Sequence, residues 1–280
     1  MDDLKFPARI GLGTWRMGNS RSARATETAA VAHALAAGYR LFDTAEMYGD
    51  GRAEQILGTA LRDFGPARRN ELFIVSKVLP SHGARAGVVR AGEQSLARLG
   101  CGYLDLYLLH WRGSHEFQQT LRGFAELRER GLIRRYGVSN FDHGDLSEWF
   151  EAEASLGLAG GTQCNQVYYC LETRAVEFEQ LGWQRQHGIQ TMAYSPLGQG
   201  ALAQHPLLRQ MAQQRGLSAA QLALAWAIRD ADVVAIPKSV QPRRIDENLA
   251  ASTVTLSATE LARLDQAFPP PRSRQPLPMT

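Results

Sequence analysis

The sequence predicts an α/β fold, a closed (β/α)8 TIM barrel in a single domain spanning residues 1–280. Three observations predict it. The length of 280 residues suits one barrel, which typically takes about 250. Short apolar runs alternate with amphipathic segments along the whole chain, without a composition break or low-complexity tract. A polar or ionisable residue closes nearly every apolar run, and those run ends are where a barrel collects its chemistry.

The strand candidates are 10–15, 39–43, 72–77, 104–110, 136–139, 163–166, 190–194 and 233–237. They are too apolar for half-exposed strands and fit parallel strands covered on both faces. The intervening segments carry helix signals. Phe117, Leu121, Phe124 and Leu127 share one face, and Gly131 follows as a left-handed C-cap. Val89, Leu96 and Leu99 form a second stripe closed by Gly100. Ser218 with Gln221, and Ser257 with Glu260, have the spacing of capping boxes. Pro242 suits a first helical turn. The proline-rich tail 269–280 is expected to be irregular.

An open doubly wound sheet would share the alternation, but no dinucleotide fingerprint supports it. The nearest string, Gly11-Leu-Gly13-Thr-Trp-Arg16, has arginine where the third glycine belongs.

The bulk properties exclude other classes. The three cysteines, Cys101, Cys164 and Cys170, show no CxxC spacing, against a disulfide framework or zinc ribbon. No HxH or HExxH pair points to a metal hydrolase. A net charge of +3 is too small and scattered for a nucleic-acid surface. No apolar run reaches the ~20 residues of a membrane helix. Residues 1–13 lack the layout of a secretory signal, so the expectation is a soluble cytoplasmic protein.

The strand-end residues are Asp43, Lys77, His110, Ser139-Asn140, Gln166, Tyr194 and Lys238. Each has a bland reading alone: Asp43 as a helix cap, Lys77 snorkelling, His110 as a bonded core histidine. Seven in succession would converge on one mouth, and that convergence is the signal.

The strings Phe-Asp43-Thr-Ala-Glu-Met-Tyr48-Gly, Val-Ser-Lys77, Asp-Leu-Tyr-Leu-Leu-His110, Gly-Val-Ser139-Asn140-Phe, Asn-Gln166, Ala-Tyr194-Ser-Pro-Leu and Ile-Pro-Lys238-Ser239 resemble, in order, the signatures of the aldo-keto reductases. The segments around Asp43 and His110 are similar to bacterial members that reduce methylglyoxal and other small aldehydes. The resemblance implies an NADPH-dependent carbonyl reductase with a catalytic tetrad of Asp43, Tyr48, Lys77 and His110. Tyr48 would be the general acid, its pKa lowered from roughly 10 by the Lys77 ammonium. Asp43 would hold Lys77 charged, and a neutral His110 would orient the carbonyl oxygen.

For the cofactor, the resemblance implies carboxamide contacts from Ser139, Asn140 and Gln166, and ring stacking by Tyr194. Ser195, Leu197 and Gly200 would wrap the pyrophosphate. Lys238, Ser239 and Arg244 would hold the 2′-phosphate, with Gln241 departing from the small hydroxyl residue of relatives. Glu247 and Asn248 would meet the adenine, and Thr14, Trp15 and Ile236 are further matching positions. Trp15 and Trp111 are expected to wall an open pocket for a small carbonyl substrate. The resemblance also implies a monomer. Two other functions share the fold: an NADP-sensing regulatory subunit, and a lyase using Lys77 as a Schiff-base nucleophile.

Overall fold

In a computed structural model, the chain is described over residues 4–279. The first three residues of the N-terminal segment and the last residue of the tail lie outside the described residues. Eight parallel strands follow one another in chain order: β1 (Leu12–Gly13), β2 (Leu41–Asp43), β3 (Phe73–Val78), β4 (Leu104–Leu109), β5 (Ile133–Ser139), β6 (Thr162–Tyr168), β7 (Gln190–Tyr194) and β8 (Val233–Ala235). The sheet curls until its edges meet. Ile10 bridges Ala235 in parallel, Gly11 N donates to Ala235 O at 2.8 Å, and Gly13 N donates to Pro237 O at 3.1 Å.

The seam strands are shorter than the expected 10–15 and 233–237. Pro237 has no N–H to continue the ladder. Gly13 is required there for another reason, since a Cβ would stand 2.7 Å from Ile236 O. The Gly-Leu-Gly string therefore serves close strand approach at the seam.

Ten α-helices are described among these residues: α1 (Arg24–Ala37), α2 (Arg52–Phe64), α3 (Arg85–Leu99), α4 (Phe117–Glu129), α5 (His143–Ser155), α6 (Gln180–Gln186), α7 (Pro206–Gln213), α8 (Ala219–Ala227), α9 (Pro242–Ala250) and α10 (Ala258–Ala267). Gly100 caps α3 at φ +63°, and Gly131 lies just past α4 at φ +71°. Ser218 and Ser257 form the expected capping boxes, and Asp142 with Asp145 forms another ahead of α5. The strict strand–helix alternation gives way after β7, where α7 precedes α8, and after β8, where α10 follows α9. The tail has no regular element over 269–279, but Arg274 is held by Glu179 at 2.6 Å, and Leu277 packs against the core.

Strand periodicity now sorts the residues. Leu41, Phe73, Val75, Leu106, Leu108, Cys164, Met192, Val234 and Ile236 form one buried cluster, with Leu4 and Phe6 packed into it. The opposite parity, including Phe42, Ile74, Tyr107, Leu109, Val138 and Ala193, joins the cluster shared with the helices. Side chains alternate along a strand, so the interior set continues at its carboxyl end into Asp43, Lys77, His110, Gln166 and Tyr194. The site is thus the last layer of the barrel interior. Among the described residues, no helix is long and apolar enough to cross a membrane, and no group of three or more His, Cys, Asp or Glu could hold a metal ion.

Candidate active site

Lys77 is fully buried, yet its ammonium is completely answered. Nζ lies 2.9 and 2.8 Å from Asp43 Oδ1 and Oδ2, 2.8 Å from Thr44 O, and 3.1 Å from the Tyr48 hydroxyl. Three acceptor groups meet three N–H donors, which suits the charged form. Because Tyr48 Oη accepts from Lys77, its own proton is left to donate elsewhere.

The loop between β2 and α2 brings Tyr48 there. Tyr48 N bonds Ala45 O at 3.1 Å, and Glu46 Oε1 accepts from Leu79 N at 2.7 Å, tying the loop to the end of β3. Gly49, at φ +57°, touches the backbone of Met17 and Gly18, where a Cβ would come within 2.9 Å. The His110 ring meets Tyr48 edge-on at 5.7 Å, and its Nδ1 is buried without a partner.

Burial pushes the Asp43 carboxyl up and the Lys77 ammonium down, and their mutual attraction opposes both. Burial, then the Lys77 charge, hold His110 well below its usual 6.5, so the ring is neutral as expected. The expectation for Tyr48 is corrected. Burial, then the Asp43 charge, hold the phenol well above its usual 10.0. Desolvation of the hydroxyl and the Asp43 carboxylate together outweigh the neighbouring Lys77 ammonium.

A second polar group adjoins the first. Asn140 and Ser195 take left-handed backbone at φ +58° and +47°, a conformation uncommon for non-glycine residues and concentrated at functional sites. Asn140 Nδ2 donates to His110 O and Ser139 Oγ, both at 3.1 Å, and Tyr194 donates to Asn140 Oδ1 at 2.8 Å. Ser139 Oγ donates to Gln166 O at 2.9 Å, and Gln166 Nε2 to Asp43 Oδ1 at 2.7 Å. Tyr168 stacks behind Tyr194 at 5.5 Å.

These groups face one cavity of about 740 Å³. Every site position anticipated from the sequence lines it except Lys77 and Thr14. Lys77 lies beneath the wall, bonded to the lining Tyr48. Thr14 is also buried, its hydroxyl spent on Asp43 O at 3.0 Å. Trp15 and Trp111 both reach the cavity, and Trp111 packs against His110 at 4.8 Å. At the far end Lys238 and Arg244 carry positive charge with no ion pair among the described residues, beside Ser239. Glu247 is paired with Arg243 at 2.8 Å, and Asn248 is buried.

Sequence reasoning missed several lining residues, among them Arg16, Met47 and Met279. Arg16 lies over the Trp15 ring at 4.3 Å and donates to Gln199 Oε1 at 3.2 Å, across the cavity mouth. Its signal was a basic residue directly after a mouth tryptophan. Met279 had none, because nothing in a proline-rich tail says where it lands.

The Aldo/keto reductase family model matches residues 9–268. The chain belongs to the aldo-keto reductase family. It is 43% identical to the methylglyoxal reductase YeaE of Escherichia coli over 284 residues, covering 99% of this chain and 96% of that one. It is 36% identical to the glyoxal reductase of Bacillus subtilis, covering 91% and 87% respectively. A crystal structure of an aldo-keto reductase from Klebsiella pneumoniae in complex with NADPH superposes with a TM-score of 0.91 at 42% identity, covering 97% of this chain and 95% of that one.

Proposed function

We propose that this aldo-keto reductase is an NADPH-dependent enzyme that reduces small aldehydes and ketones to alcohols, with Tyr48 as the general acid. The observation that carries the reading is the Tyr48 hydroxyl, seated on the Lys77 ammonium at 3.1 Å and facing the cavity beside a neutral His110.

The residues present fit the cofactor. The cavity is lined by Lys238 and Arg244, which have no ion pair among the described residues, and also by Tyr48 and His110. Lys238, Ser239 and Arg244 would hold the 2′-phosphate through charge-assisted hydrogen bonds. Ser195, Leu197 and Gly200 would line the pyrophosphate, and Glu247 and Asn248 the adenine. Ser139, Asn140 and Gln166 would take the carboxamide, with Tyr194, Ile236 and Trp15 beside the ring. NADPH, when bound, supplies the hydride.

The chain supplies the rest. His110 orients the substrate oxygen, and Trp15, Met47 and Trp111 exclude water around it. As negative charge develops on that oxygen, Tyr48 delivers its proton. The Lys77 ammonium stabilises the phenolate left behind, and Asp43 keeps that ammonium in place. The short 111–116 connection before α4 leaves the pocket open to varied small carbonyls, methylglyoxal among them. The same reading takes the chain as one catalytic domain, acting as a cytoplasmic monomer.

A Schiff-base lyase is disfavoured because Lys77 has no exposed surface and every N–H engaged. The direct experiment follows NADPH oxidation with methylglyoxal and a panel of aromatic aldehydes, with NADH in parallel. NADPH-selective turnover is expected. Tight NADPH binding without turnover on any carbonyl would turn the reading toward a cofactor-sensing regulatory subunit.

A further inference from the structure

Gln166 is 1% exposed on β6 and lines the cavity. Its amide nitrogen donates to Asp43 Oδ1 at 2.7 Å and to Met192 Sδ at 2.9 Å. An amide nitrogen carries two hydrogens, so both are committed. Flipping the amide would aim its carbonyl oxygen at a carboxylate, leaving two acceptors face to face. The carboxylate therefore fixes the amide's orientation. Its backbone oxygen is also occupied, by Ser139 Oγ and Asn140 N, each at 2.9 Å. What the side chain still offers the cavity is Oε1, an acceptor without a partner among the described residues.

Asp43 Oδ1 is shared between this amide and Lys77 Nζ at 2.9 Å. The carboxylate that holds the ammonium under Tyr48 is thus held in turn by the residue expected to meet the cofactor's ring substituent. We propose that Gln166 is a positioning residue that couples recognition of the ring carboxamide to the proton-delivering groups. Nε2 fixes Asp43 against Lys77, and Oε1 accepts only from a ring substituent bearing N–H. The two bonds are the two ends of one planar amide, so a rotation that loses one loses the other. The inference rests on the proposed reductase reading and adds a selectivity to it: a pyridine 3-carboxamide is preferred over a 3-acetyl group, which accepts but cannot donate.

Two substitutions separate the ends. Gln166→Met keeps similar volume and removes both functions. Gln166→Glu places a second carboxyl beside Asp43, and like charges this close do not both ionise. The substituted carboxyl then keeps a proton at low pH, donating to Asp43 while still offering an acceptor. It loses that arrangement as the pH rises.

The test titrates the full chain, by quenching of tryptophan fluorescence, with NADP+ and with its 3-acetylpyridine analogue. The wild-type chain is expected to bind the analogue about tenfold more weakly, the cost of one unmet buried acceptor. Gln166→Met is expected to bind both alike. Gln166→Glu is expected to show turnover that falls with rising pH where the wild type is level. Equal wild-type affinity for both probes, discrimination surviving in Gln166→Met, or no pH limb in Gln166→Glu would each overturn the coupling. If Gln166→Met does not fold, as read from its thermal melt, the wild-type titration and the Glu variant still decide. A wild-type chain that binds neither probe overturns the reductase reading itself, a result distinct from equal binding.

Discussion

Lys77 Nζ donates to the Tyr48 hydroxyl from 3.1 Å while Asp43 grips the same nitrogen at 2.8 Å. The hydroxyl accepts from the protein and so keeps its own proton free for the cavity it lines, as the proposed general acid requires. Tyr48→Phe removes that proton and leaves the cavity walls intact. Turnover is expected to fall by about 10²- to 10⁴-fold, the usual worth of a positioned acid, while NADP+ still binds. Near-normal turnover in steady-state assays would take Tyr48 out of the acid role.

Lys77→Met tests the pair beneath. It leaves the 2%-exposed Asp43 carboxylate without its counter-ion, bonded only to Gln166. Breaking a buried pair from one side costs about 3–5 kcal/mol, so both stability and activity should drop. Replacing both partners by Asp43→Leu and Lys77→Met should recover much of the stability and none of the activity. Thermal melts and turnover of the single and double variants separate these effects.

His110 gives a pH dependence with a definite sign. Burial, then Lys77, depress its folded-state pKa well below 6.5. Below about 6.5 the unfolded chain binds a proton at this position that the folded chain refuses, so stability rises with pH through that window. The contribution is fully present above the unfolded value and is lost on acidification. His110→Gln should therefore flatten part of the fall in melting temperature between about pH 7.5 and 5. An unchanged slope would mean the imidazole accepts its proton in the folded state.

Arg244 lies on the surface of α9, lines the cavity and has no ion-pair partner among the described residues. Its removal frees no buried charge, so the fold should be indifferent. Arg244→Ala should weaken NADPH about 10- to 100-fold, the worth of a charge-assisted hydrogen bond, and leave NADH nearly unchanged. Equal weakening of both cofactors would place the phosphate elsewhere.

The alternation of strands and helices, the glycine caps and two capping boxes were legible because each rests on local chemistry. So was the convergence of Asp43, Lys77, His110 and Gln166, since barrel geometry turns strand ends into one surface. The net effect on Tyr48 was not legible. Proximity of Lys77 suggested a lowered pKa, but the sign depends on burial and on Asp43, which only the packed structure reveals. The seam lengths of β1 and β8 were missed because Pro237 ends a ladder whose partner strand lies more than 220 residues away. Arg16 was dismissed as the residue that spoils a glycine motif, although its long-range partner Gln199 makes it part of the mouth.

That contact yields the last prediction. Arg16 and Gln199 both sit at positive φ, +68° and +53°, on the loops that follow β1 and β7. Their hydrogen bond spans the mouth, and the guanidinium is further held over Trp15. The pair is exposed, so its contribution to stability is small, and Arg16→Ala should melt within about a degree or two of the wild type. Its effect belongs to ligand exchange. With the bridge gone, the mouth is open more of the time and release of bound NADP+ should accelerate by about 3- to 10-fold, the equivalent of one hydrogen bond. Gln199→Ala should accelerate release by a similar factor, and the double variant should add little to either, because both remove the same bond. Stopped-flow release measurements on the three variants check this, and fully additive effects would show that Arg16 and Gln199 act independently.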